Sequence, residues 1–157
     1  MIQHVWSLVC KESKIEVDSN NISVIDIYES LQFGIGVDKE TYKSDEQLVV
    51  PFNFEVVSLF YRDTKVGDYS LGITIEVIDP ESKKLGEVST KLEFKDGMNR
   101  MRNRVKFNSI AITKSGTYVF KVYSQKERET KKHSVAVIPI DVQVTISNEA
   151  DLFKSTQ

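Results

Sequence analysis

Strict two-residue alternation of apolar and polar side chains is the feature that most constrains this chain. Its clearest example runs from Tyr69 to Val77, where the odd-numbered residues are apolar and the even-numbered ones are small or polar. Successive side chains of a β-strand point to opposite faces, so this pattern predicts a strand with one buried and one wet face. The turn residues Asp79-Pro80-Glu81-Ser82 follow it, because proline fixes φ and aspartate can bond its own backbone.

The same alternation continues in the next two segments. It covers residues 88–95, after which Asp96-Gly97 is a tight-turn signal, and it resumes over residues 100–107. Since turns of this kind join adjacent antiparallel strands, we interpret residues 69–107 as three strands in a meander.

Further strands are predicted before and after the meander. The run over 47–61 is too continuously apolar for a wet face, which predicts a central strand that Pro51 begins or bends. Pro139 lies among outward-facing positions and is therefore expected at a sheet edge or bulge. The other candidate segments are 5–9, 22–33, 116–123 and 138–147.

Seven to nine short strands separated by turns predict an all-β fold, a two-sheet antiparallel β-sandwich that is immunoglobulin-like or related. The segment Gly116-Thr117-Tyr118-Val119-Phe120 has the cadence of late strands in such sandwiches, where a tyrosine often caps a corner by bonding the main chain. We assign residues 1–147 to one domain and residues 148–157 to a C-terminal tail, either a frayed helix or disordered.

Composition restricts the class of protein further. At 157 residues the chain has the size of a single domain, and its one cysteine, Cys10, allows no intrachain disulfide. The N-terminus lacks the basic region of a signal peptide, and no run reaches the roughly 20 apolar residues of a membrane-spanning helix. These features predict a cytoplasmic protein that does not associate with a membrane.

Charge is distributed unevenly along the chain. Residues 1–82 contain six Lys/Arg and fifteen Asp/Glu, a net charge of −9, whereas residues 83–157 contain fifteen and eight, a net charge of +7. The simplest interpretation is that these charges keep an all-β surface soluble. Opposite charges on the two halves would also permit head-to-tail association.

A row of cations is the strongest candidate binding feature. Alternation places Arg100, Arg102, Arg104 and Lys106 on one face of one strand, and guanidinium groups can grip carboxylate or phosphate through paired hydrogen bonds. Lys91 and Lys95 would share this face if Asp96-Gly97 closes a hairpin. Two alternatives need no ligand: cross-strand pairs with Glu93 and other acids, or protection of a sheet edge from aggregation.

Nucleic-acid binding would require aromatic side chains near these cations for stacking on bases. Only Tyr123 falls on an outward position nearby, and the isoelectric point of about 5.8 is not basic. Nucleic acid is therefore the less favoured partner of the basic strand.

Catalytic and metal-binding signatures are weak. His4 and Cys10 would lie about 20 Å apart on one strand, too far for proton transfer, and Cys10 is expected to be a buried thiol. His133 could reach Cys10 only across strands. The acids Asp63, Asp68, Asp79 and Glu81 flank strand ends and could converge on calcium, but ordinary turn roles explain them. We predict no metal, no cofactor and no catalytic residue.

Several short motifs resemble a family of small uncharacterised bacterial β-sandwich proteins. They are Cys10 followed by a strand ending at Val17-Asp18, Asn20-Asn21-Ile22-Ser23-Val24-Ile25-Asp26-Ile27-Tyr28-Glu29, Leu85-Gly86-Glu87, Arg100-Met101-Arg102 and Gly116-Thr117-Tyr118-Val119-Phe120. The resemblance spans most of residues 4–146 and implies a β-sandwich without a known activity.

The resulting hypothesis is a non-enzymatic protein-interaction or assembly module that binds a protein partner or itself. One alternative is an anion- or nucleic-acid-binding sandwich that uses Arg100, Arg102, Arg104 and Lys106, with the identity of any small-molecule ligand left open. The other is an unrecognised hydrolase with Cys10 or a carboxylate pair in a pocket.

Overall fold

A computed structural model describes residues 1–148, which form two β-sheets and contain no helix. The predicted all-β, two-sheet fold is confirmed, and the number of strands lies at the upper end of the predicted range. In chain order the nine strands are β1 (Ile2–Ile15), β2 (Ile22–Ile27), β3 (Ser30–Val37), β4 (Leu48–Arg62), β5 (Tyr69–Ile78), β6 (Lys84–Phe94), β7 (Arg100–Ile112), β8 (Gly116–Lys126) and β9 (His133–Asn148). The predicted tail lies outside the described residues, except for Asn148, with which β9 ends.

One sheet has four strands in the order β2-β1-β4-β7, and the other has five in the order β3-β9-β8-β5-β6. All neighbouring strands are antiparallel except β3 and β9, which pair in parallel. The edge strands of the sandwich are therefore β2 and β7 in the first sheet, and β3 and β6 in the second.

The core lies between the two sheets and is built from the alternating apolar positions. Tyr118, Phe60, Phe94 and Phe120 are among its largest fully buried side chains. Burying an aromatic or branched apolar side chain stabilises a fold by about 1.5–3 kcal/mol, so these rows of residues fix which face of each strand points inward.

β4 is the central strand that its apolar run predicts. It pairs with β1 on one side and β7 on the other, and the stretch 54–58 is buried on both faces. Pro51 bends it, because the pairing with β7 is interrupted between Pro51 and Phe54. Pro139 lies where β9 is still an edge, because β9 pairs with β8 there and gains β3 as a second neighbour only from Asp141 onward. The N–H that proline lacks is therefore not needed for a second strand.

The predicted three-strand meander is wrong in its last step. β5 and β6 do pair, but β6 and β7 belong to different sheets. The turn after β6 exists, with Gly97 at a φ of 82° and the Met98 N–H donating to the Lys95 carbonyl, yet it carries the chain from one sheet to the other. Alternation defines the two faces of a strand and leaves open which sheet the strand joins.

The predicted strand over 22–33 is two strands in different sheets. Asp26 has a φ of 52°, and two residues link β2 to β3. The Tyr28 N–H donates to the Val9 carbonyl in the first sheet, while the Glu29 carbonyl accepts from the Asp141 N–H in the second. The chain therefore changes sheets between Tyr28 and Glu29.

The corner before β8 confirms the expected role of Tyr118. Its hydroxyl donates to the Lys114 carbonyl at 2.8 Å and accepts from the backbone N–H of Thr113 at 2.9 Å. Gly116 makes this corner possible, because its φ is 146° and a Cβ there would lie 2.7 Å from the Pro80 Cγ.

Candidate functional site

The basic strand face predicted from the sequence lies on β7, an edge strand of the four-stranded sheet. Asn103 and Val105 of β7 are buried between the sheets, so the alternate residues Arg100, Arg102, Arg104 and Lys106 project from the outer face of this sheet. Alternation thus places all four cations together, as predicted. Whether they bind an anion stays a prediction.

Two of these arginines bind the β1–β2 hairpin of the same chain. Arg104 donates from Nε to the Ser13 Oγ at 2.7 Å and from Nη2 to the Ser13 carbonyl at 2.6 Å. Arg102 donates from Nη2 to the Asn20 carbonyl at 2.6 Å. The hairpin therefore reaches over the outer face, and both guanidinium groups are occupied by contacts within the chain.

A buried carboxylate lies beneath this contact. Glu55 of β4 has a side chain only 4% exposed and accepts a hydrogen bond from the Ser13 hydroxyl. Its oxygens also lie 3.6 Å from the Arg104 Nε and 3.8 Å from the Lys106 Nζ. A buried charge is costly without a partner. Arg104 and Lys106 therefore act first as counter-ions of Glu55, which leaves them less available to an anionic ligand.

Lys91 and Lys95 do not extend the basic face. They belong to β6, on the outer face of the five-stranded sheet, because Leu92 and Phe94 of that strand point into the core. Lys91 pairs with Glu93 and Glu127, and Lys95 pairs with Asp68 and Glu93. The predicted common face required a β6–β7 hairpin, and the separation of these strands into two sheets removes it.

Cys10 is a buried thiol, as its position in an apolar strand predicts. Its side chain is fully buried on the strand pair β1–β4 opposite Glu55. Burial, and secondarily the Glu55 carboxylate, raises the pKa of the thiol to about 11, so the nucleophilic thiolate is scarce at neutral pH.

Neither histidine lies beside that thiol. The β-bulge between His4 and Trp6 turns His4 toward Phe60 and the core, where its Nε2 is 2.7 Å from the Ser7 Oγ. His133 belongs to the other sheet and lies 3.3 Å from the Glu129 carboxylate. The side chains proposed for a hydrolase are therefore not brought together.

The acidic residues considered for calcium serve separate turns and ion pairs. Asp79 accepts from the N–H groups of Glu81 and Lys83, and these bonds help hold its pKa below the ordinary value against the opposing effect of burial. Asp63 pairs with the N-terminal amino group, and Asp68 accepts from the Asp96 N–H. Within residues 1–148 no group of three His, Cys, Asp or Glu side chains is arranged to hold a metal ion.

A cleft of about 650 Å³ opens where β1 separates from β4. Its apolar lining includes Phe54 and Phe107, whose rings stack at 4.7 Å with their planes 4° apart. Lys11, Glu12 and Lys106 supply charge at the rim. The cleft is shallow and carries both signs of charge, so it selects no particular ligand.

The four edge strands differ sharply in how they are protected. β7 carries its four cations, and β6 carries charges of both signs and lies against β7, where the Thr90 hydroxyl donates to the Asn103 Oδ1. β2 contains Asp26, which interrupts extended backbone. β3 has the sequence Ser-Leu-Gln-Phe-Gly-Ile-Gly-Val, without charge or proline. Charges, proline and irregular backbone are the usual means of blocking edge pairing, and β3 has none of them.

The free side of β3 can be identified from its pairing with β9. The Glu29 carbonyl bonds to the Asp141 N–H, and backbone groups of alternate residues point to opposite sides of a strand. Leu31, Phe33, Ile35 and Val37 therefore bond to β9. The N–H and C=O groups of the other four residues point away from the sheet, and we call them the free edge of β3: Ser30, Gln32, Gly34 and Gly36, all exposed.

Sequence reasoning missed this edge. The signal was available, since eight consecutive residues lack charge in a chain that is 28% charged. It is hidden because the pattern predicts one strand over 22–33, which gives no reason to treat residues 30–37 as an element with an open side.

Comparison with known proteins gives no family for the chain. No protein-family model and no curated protein sequence matches it, so the suspected family membership stays a prediction. Among solved structures it is similar to the crystal structure of the C-terminal domain of wzt, with 13% identity and a TM-score of 0.47 over 93% of this chain and 74% of that one. A likeness this distant does not carry a function from that domain to this chain. No helix in residues 1–148 is long and apolar enough to cross a membrane.

Proposed function

We propose that this chain is a non-enzymatic protein-interaction or assembly module that receives a strand of a partner at the free edge of β3. The observation that supports the proposal is the contrast among the edges: β7, β6 and β2 each carry charges, and β3 carries none. Adding a strand to an exposed sheet edge is a recurrent mode of protein recognition. The single cysteine, Cys10, is consistent with action in the cytoplasm.

The backbone supplies the affinity in this mode. Each free N–H and C=O group already bonds water, so exchanging water for a partner strand gains about 0.5–1.5 kcal/mol per hydrogen bond. The four residues of this free edge offer about eight such bonds in total, and this small number predicts reversible binding. Specificity then comes from side chains that alternate along the strand, with Gln32 on one face and Phe33 on the other.

A synthetic strand can test whether the edge accepts a partner. The probe is a fluorescein-labelled peptide with the sequence of residues 30–37 flanked by lysines for solubility, and its anisotropy is followed as the domain is added. We expect saturable binding by the wild-type domain. Binding should weaken at least tenfold in Gln32→Pro, because proline removes one outward N–H and leaves the bonds to β9 in place.

The thermal unfolding of Gln32→Pro shows whether the variant remains folded, and Gln143→Lys provides a folded control altered one strand behind the edge. Equal peptide affinity for a folded Gln32→Pro and the wild type would reject the free edge of β3 as the binding site.

A further inference from the structure

We infer, on the basis of the proposed function, that the strand received by β3 is β3 of a second copy of this chain, paired antiparallel about a two-fold axis through Phe33. The two five-stranded sheets then join into one continuous ten-stranded sheet, with β3 of each copy at its centre. The inference depends on the direction of the free backbone groups, the absence of charge on β3, and the space beside Gly34.

The direction of the backbone groups sets the possible registers. In an antiparallel pair, residues that exchange hydrogen bonds must both point their backbone groups at the partner strand. Only even-numbered residues of β3 do so, which allows Ser30 to face Gly36 of the second copy and Gln32 to face its Gly34. This register is symmetric, places Phe33 opposite itself, and forms about eight backbone hydrogen bonds.

The distribution of charge favours pairing of β3 with β3 of a second copy over pairing of β7 with β7. Antiparallel self-pairing of β7 would bring arginines and a lysine of one copy near those of the other, and like charges opposite each other are destabilising. β3 brings none. On the outer face of β9 the nearest charge is Asp141, which lies beside Ser30. Ser30 would face Gly36 of the second copy, and the β9 residue beside that Gly36 is Ser147. Both residues are uncharged, so Asp141 meets no like charge there.

Side-chain space is also compatible with this register. Gln32 would lie opposite a glycine, and no atom lies within 4 Å of the place where a Cβ at Gly34 would be. Phe33 is half-buried at the sheet margin and contacts the Phe52 ring at a centroid distance of 5.3 Å. On the axis the two Phe33 residues form a non-hydrogen-bonded pair, with α-carbons about 4.5 Å apart, so their rings can pack on each other.

The small extent of the edge predicts a reversible dimer. A single eight-residue strand buries less area than the roughly 1,600 Å² of a standard stable interface. We therefore expect a dissociation constant on the order of 10–100 µM, corresponding to about 5.5–7 kcal/mol.

Sedimentation velocity of the full chain over a concentration series measures this equilibrium. The wild type should shift from monomer to dimer as its concentration rises. Gln32→Lys should remain monomeric over the same range, because the two introduced lysines would be diagonal neighbours on one face, with their α-carbons about 7–8 Å apart. Gln143→Lys adds the same charge on the adjacent strand β9 and should dimerise like the wild type.

Cysteine cross-linking tests the register. Mild oxidation of Phe33→Cys should give a disulfide-linked dimer, since the axis places this position opposite itself. If that variant folds poorly, an equimolar mixture of the exposed variants Gln32→Cys and Gly34→Cys should cross-link more than either alone. The native Cys10 is buried and serves as the uncross-linked background.

The outcomes separate this inference from the proposed function. A chain that stays monomeric at every concentration, yet binds the β3 peptide, retains the proposed function and overturns the inference. The inference also fails if Gln32→Lys still forms the dimer, or if cross-links form in another register. Loss of dimer in Gln32→Lys alone, with cross-links as stated, establishes the β3–β3 pair.

Discussion

The strands β7 and β3 are both sheet edges, yet they treat their exposed backbone in opposite ways. β7 has thirteen residues and carries four cations on its outer face, whereas β3 has eight residues and carries no charge. β7 also lies beside β6, whose Thr90 hydroxyl donates to Asn103 at 2.9 Å. The free edge of β3 bonds to no other strand in the described part of the chain.

This difference teaches that a conspicuous row of charge need not be a binding site. Arg102 and Arg104 hold the β1–β2 hairpin, and Glu55 takes two cations of the row as counter-ions. These contacts protect the edge and also attach two distant parts of the chain. The inconspicuous strand β3 has the unused hydrogen-bonding capacity, so an added strand can gain more there.

The largest effect expected from the contrast between β7 and β3 is the loss of stability on replacing Arg104. Arg104→Met leaves Glu55 buried with only Ser13 and Lys106 beside it, and breaking a pair around a buried charge destabilises a protein by about 3–5 kcal/mol. Because Arg104 is 28% exposed and Lys106 remains, we expect about 3 kcal/mol. Urea unfolding measures this free energy.

Arg100→Met is the matched control on the same strand face. Arg100 is exposed at the start of β7, so its replacement should change the free energy of unfolding by less than about 0.5 kcal/mol. Similar losses for both variants would contradict the distinction between arginines that hold the hairpin and an arginine that does not.

The sequence predicted the common face of these arginines and could not predict what they contact. Alternation is a local property, and it was sufficient for Arg102 and Arg104. Their partners Asn20 and Ser13 are more than eighty residues away, so the contact depends on how the β1–β2 hairpin bends over the sheet. The same limit explains Lys91 and Lys95, because local pattern does not assign β6 and β7 to different sheets.

The edge strand β3 was hidden for a related reason. Its composition was visible, but strand-forming apolar residues recur on both sides of the break at Tyr28 and Glu29, from Ile22 to Ile27 and from Leu31 to Val37. A short crossing between sheets needs no glycine or proline when its backbone groups find partners, here Val9 and Asp141. Only pairing with β9 shows which side of β3 is free.

The next prediction concerns the protection that the hairpin gives to Cys10, which lies on the outer face of the sheet that contains β7. With its pKa raised to about 11 by burial and by Glu55, the thiol should react slowly with iodoacetamide at pH 7.5. Arg104→Met should accelerate this labelling, since the hairpin would open more often. Gln32→Lys, which alters the other sheet, should label at the wild-type rate.

The same thiol gives stability a pH dependence. The folded pKa lies above the ordinary value of 9.0, so the unfolded chain loses the proton first and the contribution of Cys10 to stability declines as pH rises from 9 to 11. The midpoint of urea unfolding should fall more steeply over this range in the wild type than in Cys10→Ala. Parallel pH profiles would show that Cys10 is not buried as described.

The smallest expected effect is a change in stability on replacing a glycine of the free edge of β3. Gly34 has open space where a Cβ would lie, with no atom within 4 Å, and its φ is not positive. Gly34→Thr should therefore add about 0.5–1 kcal/mol to the free energy of unfolding by favouring extended backbone. Gly86 on the protected edge β6 has the same open space, and Gly86→Thr should give a similar gain.

The two threonine variants should differ in association. Gly34→Thr places a β-branched side chain at the contact while leaving its outward N–H free, so its dimer should be at least as stable as that of the wild type in sedimentation velocity. Gly86→Thr should change stability and leave association unchanged, because β6 already lies against β7. If both variants shifted association equally, β3 would be no more available to a partner strand than the protected edge.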